Sequence, residues 1–276
     1  MKRLILNNSA LNSVPPVTED WDEISLYNNH LSEIPEYWWK QPKLQILNLS
    51  ANNLTKISPQ IKNLKALRML DLGHNALEQV PEAIGELNYL DSYLYLHHNK
   101  LKVLPGSLGQ LLKLRYLNIS ANVLNSLPSG MGFLHNLIYL NADNNQLASL
   151  PDTFYQLISL RELSLRNNMI RHLPTTLADL PELRYLNLEN NFLSSVPVFP
   201  AIQELNLRNN KVTGIPDALL NSQKLRRLDL RGNQLTAIPQ ALFDLPCLEL
   251  LDLRWNNLPV PEQLIKKLPG GGLVYF

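Results

Sequence analysis

The chain has 276 residues, of which 45% are hydrophobic and 18% are charged; this composition supplies a core and excludes an intrinsically disordered chain. Its 25 Lys and Arg residues against 24 Asp and Glu residues leave a formal net charge of +1, so no long-range field favours nucleic acid or an anionic membrane. Cys247 is the only cysteine, which excludes an intrachain disulfide and favours a reducing compartment or a cysteine-poor bacterial protein.

The amino terminus carries no long apolar segment. Met1-Lys2-Arg3 is followed by the apolar run 4–6, which ends at Asn7. A signal-peptide core needs about 7–15 apolar residues and a membrane span about 18. We therefore expect a soluble, uncleaved chain without a membrane partner.

One pattern then recurs along the chain. An Asn is preceded by apolar residues five and three positions earlier, and a further apolar residue lies two positions after it. Twelve such units, 19 to 24 residues apart, leave no room for a separate domain. We expect one domain over 1–276, with repeats over about 1–268. The anchors are Ser9, Asn29, Asn52, Asn75, Asn99, Asn122, Asn145, Asn168, Asn191, Asn210, Asn233 and Asn256.

Each unit has two halves with different hydrophobic periods. The Leu-x-Leu before the anchor has the period of a short strand with one buried face, about three residues long. An apolar-Pro pair such as Leu104-Pro105 then ends the strand. Apolar residues three apart, as in Ile84, Leu87 and Leu90, suit a 3₁₀ turn or a short helix.

Units this small cannot bury their apolar side alone, so neighbours must stack into a solenoid. We predict an α/β architecture with a parallel sheet on the inner face and short helical turns on the outer face. The anchor Asn amide is predicted to satisfy backbone groups that the turn leaves unpaired.

Departures from the pattern change the prediction in two units and at the carboxyl terminus. Gln41 replaces an apolar residue, so we expect Trp38 to fill that volume and Trp39 to lie outside. The unit containing 91–93 carries one extra residue, which must be looped out before the strand to keep the next leucines inside. Residues 259–276 are predicted to form a carboxyl-terminal cap, with a helical turn over 261–268 that ends at the run 269–272.

The first strand is predicted to begin by residue 4, with no polar capping element ahead of it. An uncapped end exposes a strand edge and apolar side chains. We therefore expect that a homodimer or another partner can form through the amino-terminal end.

The 23-residue units, L-x-x-L-x-L-x-x-N-x-L-x-x-L-P-x-x-I/L-x-x-L, resemble those of the leucine-rich repeat family, and within it the intracellular Ras-suppressor and plant Ras-group type. The segment 196–205 is similar to the compact unit of bacterial effector repeats. The resemblance implies a curved horseshoe that binds a protein partner. The Ras-suppressor type implies a signalling protein such as a small GTPase and a cytoplasmic location. The effector type implies a host regulator and delivery into a host cell.

Tyrosines recur on the predicted inner face. The position six residues before the anchor holds Tyr93, Tyr116, Tyr139 and Tyr185, and Tyr95 lies beside the first. Tyrosine is enriched in interface hot spots, so we predict that these residues anchor a partner. The alternative is that tyrosine simply favours exposed strand positions.

Arginines form a second column, two residues before the anchor. Its members and the adjoining aromatic residue are Arg166, Arg208, Arg231, Arg254 and Trp255. Like charges in neighbouring strands cost stability. Two explanations stay open: acidic residues of the chain neutralise the column, or an acidic or phosphorylated partner segment does. The candidate internal acids are Glu204, Asp229 and Asp252.

Enzyme signatures are missing from the sequence. The glycine run 270–272 has no following Lys, so it does not form a phosphate-binding loop. His74, His97, His98 and Asp71 suggest either a weak metal site or ordinary surface positions. We predict a non-catalytic scaffold without a cofactor or metal, and no nucleic-acid partner because the basic column is short and mixed with acids. The alternative is a targeting module for a ligase or kinase supplied in trans.

Overall fold

A computed structural model describes residues 1–17, 19–195, 198–259 and 268–276. In these residues thirteen three-residue strands form one sheet, in chain order and with parallel pairing throughout. The strands are β1 (Arg3–Ile5), β2 (Glu23–Ser25), β3 (Ile46–Asn48), β4 (Met69–Asp71), β5 (Tyr93–Tyr95), β6 (Tyr116–Asn118), β7 (Tyr139–Asn141), β8 (Glu162–Ser164), β9 (Tyr185–Asn187), β10 (Glu204–Asn206), β11 (Arg227–Asp229), β12 (Leu250–Asp252) and β13 (Leu273–Tyr275).

The opposite face consists of short 3₁₀ turns, and the described residues contain no α-helix. Most turns begin directly after a proline, whose fixed φ suits the start of a helix. The turns are Glu36–Trp39, Pro59–Asn63, Glu82–Glu86, Gly106–Gln110, Ser129–Phe133, Asp152–Gln156, Thr175–Asp179, Asp217–Asn221, Gln240–Asp244 and Pro269–Gly271. The predicted solenoid of parallel strands and 3₁₀ turns is confirmed.

The core is a spine of leucines shared by neighbouring units. Leu117, the middle residue of β6, pairs with Leu94 and Leu140 in the flanking strands, and all three side chains are fully buried. The first and third residues of the strand therefore point to the concave face. This alternation decides which side chains are exposed on the concave face.

The anchor asparagines join successive turns. The Asn122 amide donates from Nδ2 to the carbonyl oxygens of Leu96 and Ile119, each at 3.0 Å, and to that of Ser120 at 3.2 Å. Its Oδ1 accepts the backbone N–H of Leu101 at 3.0 Å. Equivalent bonds recur at the other buried anchors, so each amide satisfies backbone groups of two units.

The extra residue in the fifth unit is accommodated before the strand. Leu70 still pairs with Leu94, as predicted, but β4 and β5 share only two residue pairs. The carboxylate of Asp91 accepts three bonds of 2.8–3.2 Å from the Arg68 guanidinium in the preceding unit. The register of the core leucines is therefore kept while the ladder shortens.

Two predictions need correction. Trp39 is only 2% exposed and Trp38 is buried beside it, because the first 3₁₀ turn directs both rings inward. The twelve predicted units account for twelve strands, whereas the described residues contain a thirteenth: β13 follows the run 269–272 and pairs with β12. The helical turn predicted over 261–268 falls largely outside the described residues. None of the described helices is long or apolar enough to cross a bilayer.

Candidate protein-binding surface on the concave sheet

Three predicted tyrosines form a continuous row across β5, β6 and β7. Tyr93 pairs with Tyr116, and Tyr116 pairs with Tyr139. The rings of Tyr93 and Tyr116 stack with centroids 4.9 Å apart, and Tyr95 lies 5.4 Å from Tyr93. Burial raises the pKa of Tyr95. We call Tyr93, Tyr95, Tyr116 and Tyr139 the tyrosine row; their rings are half-buried.

Tyr185 is separated from that row. Glu162 lies between Tyr139 and Tyr185 in the register, and Glu204 follows Tyr185. These side chains and Arg227 line a groove of about 440 Å³ on the concave sheet. An open groove that joins aromatic rings to carboxylates suits an extended polypeptide rather than a deeply enclosed small molecule.

The arginine column is neutralised within the protein. Arg231 forms ion pairs with Asp229 in its own unit and with Asp252 in the next, the second at 3.3 Å. Arg254 bonds to Asp252 at 2.7 Å. These charge-assisted bonds raise the pKa of both guanidinium groups.

The two earlier arginines also face acids. Arg208 lies 3.6 Å from Glu189, and Arg166 lies 3.7 Å from Asp143. Glu204, one of the acids expected to serve this column, lies 3.6 Å from Arg227 instead. The column therefore contributes oriented but largely compensated charge.

Trp255 marks the carboxyl-terminal end of the concave face. Its ring is 65% exposed and lies between Arg208 and Arg254, with each guanidinium carbon 5.7 Å from the ring centroid. Arg254 also lies 5.0 Å from the ring of Tyr275 in β13. Exposed Trp with flanking Arg is the composition of an interface hot spot. The structure brings these residues together at a different part of the sheet from the tyrosine row.

The three histidines adjoin the tyrosine row. The rings of His74 and His98 stack at 4.2 Å, and His97 lies edge-on to His74 at 4.9 Å. Burial lowers the pKa of His97, partly opposed by Asp71, and burial and the charge of His74 lower that of His98. Among the described residues, no group of three or more His, Cys, Asp or Glu side chains has the geometry to hold a metal ion. The side chains of His74 and His98 are exposed, and that of His97 is half-buried.

One basic cluster was not predicted from the sequence. Lys113, Arg115 and Arg161 line a cavity of about 410 Å³ beside the amino-terminal ends of β6–β8. Arg115 and Arg161 directly precede β6 and β8. They therefore lie outside the arginine column two residues before the anchor, on which the prediction was based. The sequence feature that could have indicated this cluster is Arg115, which directly precedes Tyr116.

Comparison with known families agrees with the geometry. The model of the leucine-rich repeat family matches residues 22–77, 42–101, 150–193 and 200–258, which together cover more than half of the chain. The chain belongs to the leucine-rich repeat family. Proteins of this family act as scaffolds for protein–protein interaction.

Individual relatives of this leucine-rich repeat protein cover different shares of it. Osteomodulin of Bos taurus is 38% identical over 104 residues, which is 37% of this chain and 24% of osteomodulin. The matched region spans 13–24% of the length of the first curated relatives.

Two solved structures match almost the whole repeat array. A leucine-rich repeat protein of Leptospira interrogans is 30% identical with a TM-score of 0.68, and the match covers 100% of this chain and 84% of that one. The ectodomain of the receptor kinase GASSHO1/SCHENGEN3 of Arabidopsis thaliana, solved in complex with CASPARIAN STRIP INTEGRITY FACTOR 2, is 31% identical with a TM-score of 0.66. That match covers 95% of this chain and 37% of the ectodomain chain.

Proposed function

We propose that this leucine-rich repeat protein is a non-catalytic scaffold that binds a protein partner on its concave sheet, with the tyrosine row as the apolar anchor. The register that places Tyr93, Tyr116 and Tyr139 side by side carries the proposal. Tyrosine supplies large contact area at low conformational cost. The adjoining groove offers room for an extended segment along the sheet.

The resemblance of the repeats to two known types suggests two classes of partner. Units of the Ras-suppressor pattern favour a signalling protein such as a small GTPase in the cytoplasm, and the compact units favour a host regulator reached by an effector. Both stay predictions, as does a homodimer through β1. The exposed Trp255 cluster, with Arg208 and Arg254, supplies a second contact at the far end of the same sheet.

A matched pair of tyrosine variants tests the proposal. Tyr116→Ala/Tyr139→Ala removes the centre of the row, whereas Tyr37→Ala/Tyr155→Ala removes two exposed tyrosines of the 3₁₀ turns on the opposite face. A partner captured from cell lysate should be retained by the parent and the second variant and lost by the first. Both variants should melt close to the parent, since none of these side chains is fully buried.

Two results count against the proposal. Equal loss of the partner from both double variants places the contact elsewhere. A large fall in melting temperature for Tyr116→Ala/Tyr139→Ala alone means that the row serves the fold.

A further inference from the structure

The cavity beside β6–β8 concentrates cationic side chains. Its lining includes Lys113, Arg115 and Arg161, together with the neutral side chains of Asn136 and Ser159. Asp91 is also present, but its carboxylate accepts the three bonds from Arg68 described above. The cavity therefore holds three cations and one acid that is already engaged.

Lys113, Arg115 and Arg161 differ from the arginines that directly precede other strands, because they form no ion pair with a described carboxylate. Within the described part of the chain, no carboxylate lies within 4.0 Å of Lys113, Arg115 or Arg161. By contrast, Arg226 contacts Glu249 at 2.7 Å and Arg184 contacts Glu182 at 3.0 Å. Cations clustered without a counter-charge repel one another and attract an anion.

The spacing suits a compact anion with several oxygens. Arg115 and Arg161 precede β6 and β8, so one strand, β7, separates them and their backbones lie about 10 Å apart. Ile138, which precedes β7, forms the floor between them. Arg115 and Arg161 can thus approach one group from opposite sides. The Lys113 ammonium, 4.3 Å from the ring centroid of Tyr89, adds positive charge to the lining, and Ser159 adds a neutral hydroxyl.

We propose that this cavity binds the dianionic phosphoryl group of a phosphorylated side chain in the polypeptide that lies on the tyrosine row. A phosphate monoester brings close to two negative charges and three acceptor oxygens, which arginine forks bind bidentately. The guanidinium carbon of Arg115 is 5.8 Å from the ring centroid of Tyr116. Arg115 therefore links the lining of the cavity to the tyrosine row.

The chemistry favours a phosphopeptide over nucleic acid. The formal net charge of the chain is +1, and the three cations of the cavity form a compact group rather than a row extended along a face. The peptide part rests on the proposed function, but the phosphoryl site can be tested without a partner.

Phenyl phosphate is a suitable probe, since its ring resembles a side chain and its phosphoryl group is a dianion at pH 7.5. Its binding can be followed by NMR through the arginine Nε–H signals of the full chain. We expect saturable shifts of the Arg115 and Arg161 signals. Arg115→Gln and Arg161→Gln should each weaken binding about 10- to 100-fold, the loss of one charge-assisted hydrogen-bonded pair. Arg226→Gln, which removes an exposed arginine bonded to Glu249, is the matched control.

Several results overturn the inference. Binding that falls equally in Arg226→Gln reflects general charge. Benzoate that binds as tightly as phenyl phosphate makes the cavity a carboxylate site, and a thymidine oligonucleotide that binds with many-fold higher affinity through the same arginines makes it a nucleic-acid site. If phenyl phosphate binding saturates without shifting the Arg115 and Arg161 Nε–H signals, the phosphoryl group binds elsewhere on the chain.

The outcome is separable from that of the proposed function. Phenyl phosphate binding that survives in Tyr116→Ala/Tyr139→Ala while partner capture is lost supports both statements. Partner capture through the tyrosine row could instead be unaffected by phosphatase treatment and by Arg115→Gln/Arg161→Gln. That result would refute the phosphoryl contact and leave the proposed scaffold function intact.

Discussion

Replacing Asn122 with alanine tests the anchor network at the centre of the solenoid. The Asn122 side chain is buried, and its amide provides the hydrogen-bond partner of the Leu101 N–H and binds the carbonyl oxygens of Leu96 and Ile119. Alanine leaves the Leu101 N–H without the amide, whereas the carbonyl oxygens of Leu96 and Ile119 each keep a hydrogen bond, from the amides of Asn99 and Asn145. Water cannot readily replace it, because the site lies between two packed units.

The expected loss follows from the one group that loses its partner. An unsatisfied buried donor costs about 1–3 kcal/mol, so Asn122→Ala should lower the free energy of unfolding by about 1–3 kcal/mol. Asn125 in the same unit is exposed and accepts only from the Ser126 hydroxyl. Asn125→Ala should therefore change the free energy of unfolding by less than about 0.5 kcal/mol.

Urea unfolding followed by circular dichroism measures both variants, and amide hydrogen exchange at Leu101 reports the local effect. Asn122→Ala should lower the unfolding midpoint and speed exchange at Leu101. An unchanged midpoint with Leu101 still protected would refute the claim that the anchor amide holds successive units together. A loss as large in Asn125→Ala would show that the effect is not specific to the buried anchor.

Three further predictions concern packing and pH. Gly109→Ala should destabilise the chain because its Cβ would lie 2.1 Å from the carbonyl oxygen of Gly130, whereas Gly106→Ala in the same turn meets nothing within 4 Å; equal melting temperatures would contradict this. Leu117→Ala should cost about 2–5 kcal/mol in urea unfolding as a core cavity, and a parent-like midpoint would mean that the strand register is wrong. Burial holds the folded-state pKa of His97 below the ordinary histidine value of about 6.5, so the unfolded chain binds more protons and stability should fall as pH drops below about 6.5. His97→Gln should reduce that fall, and an unchanged pH profile of the melting temperature would contradict this.

Much of the architecture could be predicted because the repeat is redundant. One apolar column at period two fixes which residues of each strand enter the core, and this sufficed for the register of Leu94, Leu117 and Leu140. The same alternation placed the tyrosine row and the arginine column on the concave face. Where the repeat breaks down, so did the prediction: Trp39 is buried, and β13 lies beyond the last recognisable unit.

The charge pattern of the surface was decided by the tertiary structure. A long arginine side chain can reach an acid in its own strand or in either neighbouring one, and sequence spacing does not choose among them. In the folded chain Arg208 forms an ion pair with Glu189, and Glu204 forms one with Arg227. It also gathered Lys113, Arg115 and Arg161 around one cavity. The sequence by itself determined which side chains face outward, because burial of the leucines leaves them no other side; which outward charges meet depends on rotamers and on the twist between strands, and only the folded chain sets those.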